Sequence, residues 1–471
     1  MISMIKRLAI LSLLWALPLA FVQQDGFGGF AGMFSQGISL GGEANAQEQS
    51  QKKRKRTRRV PAMREATYKS LSEAQLMIDP ESIPREEGEP IPEAKGTPRE
   101  AIAMLMKLRE RKGLNSYELA QIWNTLAFAY FTLDDIPRTI HAYQQILSQG
   151  TISEALELNS LRALFQLYYA EEDYRKAIEY IDRWEEVKGT PDPAVTFIKA
   201  TANYQLNDAD EAFRLALEVE AIAKAQERKM KEQWWYLQVV LYNEREDTDN
   251  VLRVLELLVI NYPKKQYWMH MAGIYSEKDW EDKALSAYYA AYIQGFFVKE
   301  SEIVMLAQRL LSLEGAPNPY QAAQVLAKGF ADEIVEESEK NLRLLATAYT
   351  LSQETDDAIT AWRRATKYAE DGELDYRLAQ ALANEDRHKE AIASYKSALK
   401  KGDVKKPADV NFWLGISHLQ LEEWDDAVAA FREAGELDED MEEQTHNYIK
   451  YIAQERKRLE LVAAMLAEVV E

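Results

Sequence analysis

The chain repeats a short helical pattern at intervals of about thirty-six residues, and this periodicity restricts its fold more than any other feature. From about residue 116 onward the apolar residues follow a helical period, and Gly, Pro, Asn or Asp mark the loops. In each copy a first helix carries a large apolar residue, then a small one, then often a tyrosine. A second helix begins on a small residue and has an aromatic four positions later. The clearest copy contains Trp268, Met271, Ala272, Tyr275, Ala284, Tyr288 and Ala291.

This spacing allows two antiparallel helices to pack closely. Small residues let the two backbones approach, and the large residues fill the space between them. Nine copies follow, with starts near residues 120, 158, 193, 231, 265, 300, 339, 372 and 408. The first position of the second helix holds Thr139, Ala177, Ala212, Asn250, Ala284, Ala323, Ala358, Ala391 and Ala427. Because no single copy is large enough to hold a core, the sequence predicts one elongated all-α domain instead of about three globular ones.

The pattern closely resembles the tetratricopeptide repeat family, whose signature is W-x2-L-G-x2-Y followed by A-x3-F and P. The resemblance implies a right-handed superhelical solenoid of about nine helix-turn-helix repeats over residues 116–441. The copies near 193 and 231 depart from the signature, and the copy near 300 needs an insertion around residues 315–319. Residues 61–115 are predicted to be a divergent helical half-repeat, in which a Pro-rich loop separates a first helix from a second. Residues 442–471 are predicted to be a C-terminal capping helix, whose charged face, formed by Glu455, Arg456, Lys457 and Arg458, shields the last apolar surface of the solenoid.

The same resemblance implies a concave face lined by the second, fifth, ninth and twelfth signature positions of each first helix. In the first four repeats these positions give a set that we call the concave strip: Asn124, Phe128, Phe131, Arg162, Gln166, Tyr169, Phe197, Thr201, Tyr204, Trp235, Val239 and Tyr242. Aromatic side chains have few rotamers, so a strip rich in them suits capture of a partner segment. A register shifted by one residue would instead place some of them in the core.

Two other uses of this face are a carboxylate clamp and a platform for stacking sugars. Relatives with a carboxylate clamp place Lys and Asn at the fifth and ninth positions, whereas the corresponding region here holds Asn124, Phe128, Arg162 and Gln166, so a clamp is not supported. The cluster Trp234, Trp235 and Tyr236 is interpreted as one ring in the core and one half-exposed in the groove. A dedicated platform for stacking sugars is the alternative.

Composition excludes several kinds of chemistry. The chain has 471 residues and no cysteine, so it has no disulfide, thiolate metal site, cysteine nucleophile or lipidated N-terminal cysteine. No two of the five histidines stand within one helical turn, and the acidic run 436–443 lacks the spacing of a calcium loop. No nucleophile elbow or Gly-rich phosphate loop is present in the sequence. We therefore predict no metal, no cofactor and no enzymatic activity.

The N-terminal residues have the layout of an export signal. Lys6 and Arg7 precede fifteen largely apolar residues, 8–22, too few to cross a bilayer of about 30 Å as a straight helix. We predict a signal peptide with a Gly-rich c-region over residues 1–46, cleaved after Ala46, in preference to a retained inner-membrane anchor. Both outcomes direct the rest of the chain to the periplasm.

A basic run follows this segment, within a predicted disordered tail over residues 47–60. It consists of Lys52, Lys53, Arg54, Lys55, Arg56, Arg58 and Arg59. It is either a solvated tail or a tether to anionic lipid headgroups or an acidic partner. Residues 1–59 carry nine basic and three acidic side chains, which leaves a net charge of −26 on the remainder. That acidic body disfavours nucleic-acid binding.

A narrower resemblance concerns residues 57–75 and 117–130 (YELAQIWNTLAFAY). These stretches are similar to exported tetratricopeptide proteins that accompany TonB, ExbB and ExbD in marine gammaproteobacteria. The resemblance implies an adaptor that grips a component of this energy-transducing system. The alternative is a structural component of an envelope-assembly or polysaccharide-export machine, in which the solenoid acts as a spacer.

Overall fold

In the computed structural model of the protein, residues 60–80 and 96–470 are described, residues 464–470 only by the course of their helix. Throughout these ranges the chain forms helices and turns without a β-strand. The chain divides into two compact units, which we call the first unit (to Val254) and the second unit (from Leu255). None of the described helices is both long enough and apolar enough to cross a membrane.

In the first unit, two helices precede the repeats: α1 (Glu65–Ile78) and α2 (Pro98–Arg109). The paired helices are α3 (Ser116–Thr132) and α4 (Ile136–Leu147), α5 (Glu154–Ala170) and α6 (Tyr174–Lys188), α7 (Pro193–Gln205) and α8 (Ala209–Ala225), and α9 (Glu232–Glu244) and α10 (Thr248–Asn261). The boundary between the units lies within α10.

The second unit continues with α11 (Lys265–Glu277) and α12 (Glu281–Ile293), α13 (Glu300–Ser312) and α14 (Pro319–Ala331), α15 (Glu339–Leu351) and α16 (Thr355–Ala365), α17 (Glu373–Asn384) and α18 (His388–Lys401), and α19 (Pro407–Gln420) and α20 (Trp424–Leu437). A short 3-10 helix (Glu439–Met441) leads into α21 (Glu442–Val470). Within residues 116–437 the described chain therefore has nine helix pairs, and the predicted all-helical repeat fold is confirmed.

The turn inside most pairs has one recurring construction. The first helix ends on a non-glycine residue with a positive φ, such as Asp134 (φ 58°) or Glu172 (φ 58°). The next N–H then donates to the carbonyl five residues earlier, as Asp135 does to Tyr130 at 2.9 Å, which is the hydrogen bond of a Schellman motif. The carboxylate of Asp135 accepts from the Arg138 N–H and caps the second helix. Two consecutive polar residues thus end one helix and begin the next.

Close packing within a pair is clearest in the last repeat. A methyl group added at Gly415 would lie 2.8 Å from the Phe431 ring, so only glycine leaves room for that ring. Phe431 is fully buried and packs between Phe412, with ring centroids 5.6 Å apart, and Tyr448, stacked at 5.0 Å. The small residue of the first helix and the large residue of the second therefore fit together as the sequence pattern predicts.

The C-terminal helix covers this last repeat, but through different residues from those predicted. Tyr448 and the buried Ile452 of α21 pack against Phe412 and Phe431. The predicted charged face lies beyond this contact: Arg458 pairs with Glu455 on the same helix, and Arg456 pairs with Asp425 at 2.6 Å. The prediction that Glu455, Arg456, Lys457 and Arg458 shield the apolar end is wrong, because apolar surface is covered by apolar side chains.

Two helices precede the repeats. Residues 61–115, predicted as a helix, a Pro-rich loop and a second helix, contain the helices α1 and α2, which pack on each other and on α3. Most of the predicted Pro-rich loop lies outside the described residues. The insertion predicted around 315–319 corresponds to the longer turn between α13 and α14, where Gly315 has a φ of 76°.

A buried carboxylate fastens α1 to α3. Glu118 is fully buried and accepts hydrogen bonds from the Arg64 backbone N–H at 3.1 Å, the Arg64 guanidinium at 2.9 Å and the Thr67 hydroxyl at 2.7 Å. It also accepts from the Asn115 N–H at 3.0 Å. Burial alone would raise the pKa of Glu118, but these donors outweigh it and lower the pKa to about 2. The side chain therefore stays ionised at neutral pH.

Candidate partner-binding surface

The concave strip lies on four successive first helices of the first unit: α3, α5, α7 and α9. Seven of its members are half-buried, which leaves part of each side chain accessible: Asn124, Phe131, Arg162, Gln166, Tyr169, Thr201 and Tyr204. These residues form the part of the predicted surface that a partner could reach, and we call them the accessible strip.

Five predicted members are buried instead: Phe128, Phe197, Trp235, Val239 and Tyr242. Phe197 and Val239 are each only 2% exposed. The Phe197 ring lies 6.4 Å from that of Trp234 on the next first helix, and Tyr242 packs edge-on against Phe213 at 5.1 Å. The prediction that these five line an open groove is wrong, because neighbouring helices approach closely enough to enclose them.

Contacts with neighbouring side chains hold two tyrosines of the accessible strip in place. The Tyr204 hydroxyl on α7 donates to the Glu244 carboxylate on α9 at 2.6 Å. Burial, together with this carboxylate, raises the pKa of Tyr204, so its hydroxyl stays protonated. Burial also raises the pKa of Tyr169 on α5 to about 12, and its ring packs edge-on against Tyr174 at 5.2 Å. Tyr204 is thus held by a contact with the next repeat, and Tyr169 by one within its own repeat.

Two polar members have contrasting environments. The Arg162 guanidinium lies over the Trp184 ring, 5.3 Å from its centroid, which is a cation–π geometry that fixes the side chain. The Oε1 atom of Gln166 is buried and accepts no hydrogen bond from the described residues. A buried carboxamide oxygen without a partner is uncommon in folded proteins.

The aromatic cluster on α9 is mostly interior. Trp234 and Trp235 are both buried, while Tyr236 is half-buried and burial raises its pKa. The prediction of a half-exposed Trp235 is therefore wrong, and the two indole rings offer little surface for stacking a sugar.

One group of potential metal ligands is present among the described residues: His418, Glu423 and Asp426, whose ligand atoms lie within 4.8 Å of one another. His418 is buried and its Nδ1 hydrogen-bonds the Glu423 carboxylate. The two carboxylates lie at the N-terminus of α20, where the positive end of the helix dipole already accounts for acidic groups and disfavours a cation. The geometry is that of a buried histidine hydrogen-bonded to the carboxylate of the residue that immediately precedes α20.

Several predicted features lie outside the described residues: the signal peptide at 1–46 and the basic residues Lys52 to Arg59.

Residues 162–227, 344–405 and 393–441 match the family model described as tetratricopeptide repeat. The first stretch lies in the first unit, and the other two lie in the second. Both units therefore contain stretches that match this family model. Repeats of this family stack into extended surfaces that bind protein or peptide partners. No curated protein matches the chain.

The chain is also similar to several solved structures. A crystal structure of the MamA protein is 21% identical, with 39% of this chain and 94% of that chain covered and a TM-score of 0.30. The APC/C hetero-tetramer Cut9–Hcn1 is 13% identical over 75% of this chain and 80% of that chain, with a TM-score of 0.27. The TPR2AB domain of yeast Sti1 in complex with pHSP90 is 14% identical over 63% and 96%, with a TM-score of 0.23.

Proposed function

We propose that this protein is a non-catalytic scaffold that binds a segment of a partner protein along the accessible strip of the first unit. The observation that carries the proposal is that contacts hold side chains of this strip in place: the Tyr204 hydroxyl donates to Glu244 of the next repeat, and the Arg162 guanidinium lies over the Trp184 ring. Side chains held in this way lose little entropy when a partner binds, so they favour affinity.

We further propose that the scaffold works in the periplasm as an accessory of a TonB-type system. The support for this location is the charged and apolar layout of residues 6–22, and the support for the system is the resemblance of residues 57–75 and 117–130. The basic run Lys52 to Arg59 would hold the chain near an anionic membrane surface by charge attraction, which salt weakens.

Replacing Phe131, Tyr169 and Tyr204 together with alanine is expected to reduce partner recovery at least about 100-fold, because buried aromatic anchors dominate the energy of such interfaces. The measurement is affinity purification of the tagged full chain from solubilised envelopes, with recovered proteins quantified by mass spectrometry. Phe128 and Trp235 are unsuitable for this test because both are buried and their loss would damage the fold.

The matched control replaces Tyr320, Tyr368 and Tyr451, three tyrosines that are each about half exposed and lie in the second unit. The control removes the same number of rings and should leave recovery unchanged. Equal recovery of every partner with both variants would contradict the proposal. If the protein that the strip variant fails to recover is not TonB, ExbB or ExbD, the scaffold function is supported and the assignment to a TonB-type system is contradicted.

A further inference from the structure

The C-terminal helix α21 is longer than the repeat that it covers. In its first part Tyr448 stacks on Phe431 of the last repeat, and Ile452, one turn further, is 1% exposed. Beyond that contact, residues 456–470 continue the helix over roughly 22 Å. We call them the projecting segment. In its described part, residues 456–463, every side chain is exposed, so this segment extends past the last repeat.

One largely apolar seam runs along α21 and continues onto the projecting segment. Its positions alternate by three and four residues, which is the heptad spacing of helices that pack side by side. In the sequence these positions are Thr445, Tyr448, Ile452, Glu455, Leu459, Val462, Leu466 and Val469. The last repeat covers the seam as far as Ile452, whereas Leu459 is 37% exposed and Val462 is 40% exposed. The interface of α21 with the last repeat thus continues as an uncovered face of the same helix.

The two arginines that flank the seam are neutralised within the chain. Arg458 pairs with Glu455, and Arg456 pairs with Asp425 on α20 at 2.6 Å. Unpaired arginines beside the seam would repel a second copy and would favour a partner of opposite charge. Because both already have carboxylate partners, the seam requires of its partner only apolar residues at heptad spacing. A second copy of α21 supplies them.

The projecting segment is held as a helix before any partner binds. An isolated helix of about 15 residues is marginal in water, because its first turn is costly to form. Here Tyr448 and Ile452 pack on the last repeat and fix the preceding turns, so the segment only extends an existing helix. Leu459 and Val462 are therefore presented with little further loss of entropy on association.

A membrane surface is the other covering that an exposed apolar helix face can have. Helices that lie on membranes have a polar face rich in Lys and Arg, which anionic headgroups attract. The projecting segment carries Glu460 among its basic residues, and residues 60–471 together carry a net charge of −26. An anionic leaflet repels a body of that charge, so the composition favours a second protein helix over a membrane.

We propose that the projecting segment pairs with the same segment of a second copy of this chain, so that the protein is a homodimer joined through α21. Leu459 and Val462 of one copy pack against the seam of the other. The contact uses no residue of the accessible strip, which lies in the first unit. The inference therefore does not rest on the function proposed for that strip.

The test expresses two full-length copies with different affinity tags in the same cells and measures, by immunoblotting, how much of the second copy is recovered with the first. Leu459→Gln in both copies should reduce this recovery at least about tenfold, because each copy loses an apolar side chain that the dimer buries. Glutamine is nearly as good a helix former as leucine. The thermal unfolding midpoint of the dilute variant should equal that of the parent, because Leu459 is exposed in the single chain.

Leu461→Gln is the matched control, since this leucine is 56% exposed and lies two residues from Leu459, off the seam. It should leave recovery unchanged. Added salt should leave recovery of the parent unchanged or raise it, because salt screens the repulsion between two acidic bodies. The proposal is overturned if the parent copies are not recovered together, if Leu459→Gln has no effect or lowers the midpoint, if both leucine variants lose recovery equally, or if salt abolishes recovery.

A second measurement separates the dimer from a membrane contact. Vesicles of phosphatidylglycerol and phosphatidylethanolamine should bind the parent and Leu459→Gln to the same extent, as measured by flotation. Loss of vesicle binding by Leu459→Gln, with unchanged recovery of the second copy, would overturn the proposal and assign the projecting segment to a lipid surface.

Discussion

Phe431→Ala is expected to lower the free energy of unfolding by about 3–5 kcal/mol, the range for deleting a fully buried phenylalanine. The ring fills the space left by Gly415 and stacks on Tyr448 of α21. Its removal therefore creates a cavity in the last repeat and also withdraws the surface on which the C-terminal helix packs.

Chemical denaturation measures the first effect, and hydrogen exchange in α21 measures the second. We expect backbone amides near Ile452 to exchange faster in the variant, because the contact that covers them is lost. Leu437→Ala is the control, since this side chain lies on the same helix, α20, and is largely exposed. A loss below about 1 kcal/mol for Phe431→Ala would show that the last repeat does not depend on this packing.

Glu118→Gln should destabilise the protein by about 1–3 kcal/mol at neutral pH, as expected when buried donors lose their acceptor. The ionised Glu118 carboxylate accepts hydrogen bonds from Arg64, Thr67 and Asn115 at once, and the single oxygen of a neutral amide cannot accept from all of them. Since α1 is fastened to α3 through this carboxylate, the variant should release α1 first.

The pH dependence has a defined sign. Folding lowers the pKa of Glu118 from 4.5 to about 2, so its contribution is complete above about pH 4.5 and is lost as the pH falls towards 2. The stability difference between the parent and Glu118→Gln should shrink over that range. Glu65→Gln is the control, because Glu65 is exposed on α1 and forms a surface pair with Lys69. Equal stability of the two variants at pH 7 would contradict this account of the carboxylate.

The helix pairs could be predicted because their packing is local. Ala284 and Tyr288 lie four residues apart on one helix, so the small and large side chains that allow close packing occur within a short stretch of sequence. The turns were harder to predict, because the left-handed residues are Asp134, Glu172 and Asn207, none of which is a glycine. In the sequence such a turn is marked by two consecutive polar residues, such as Asp134 and Asp135. Their role is apparent only from the structure, in which the Asp135 N–H donates to the Tyr130 carbonyl.

Contacts between distant residues could not be predicted from the repeat. Arg64 and Glu118 are 54 residues apart, and Arg64 lies before the first repeat, so no periodic pattern relates them. The position of Phe197 on its helix predicted a groove residue, and its burial could not be predicted because it depends on how closely Trp234 of the next repeat approaches.

The central claim is that a partner segment lies along the accessible strip of the first unit. The most direct measurement is photo-crosslinking in intact cells, with p-benzoylphenylalanine placed at Gln166 or Tyr204 and, as a control, at the exposed Glu179 on the second helix α6. The account predicts that both strip positions capture the same protein and that Glu179 captures none of it. Capture at Glu179 with equal yield, or none at either strip position, would contradict it.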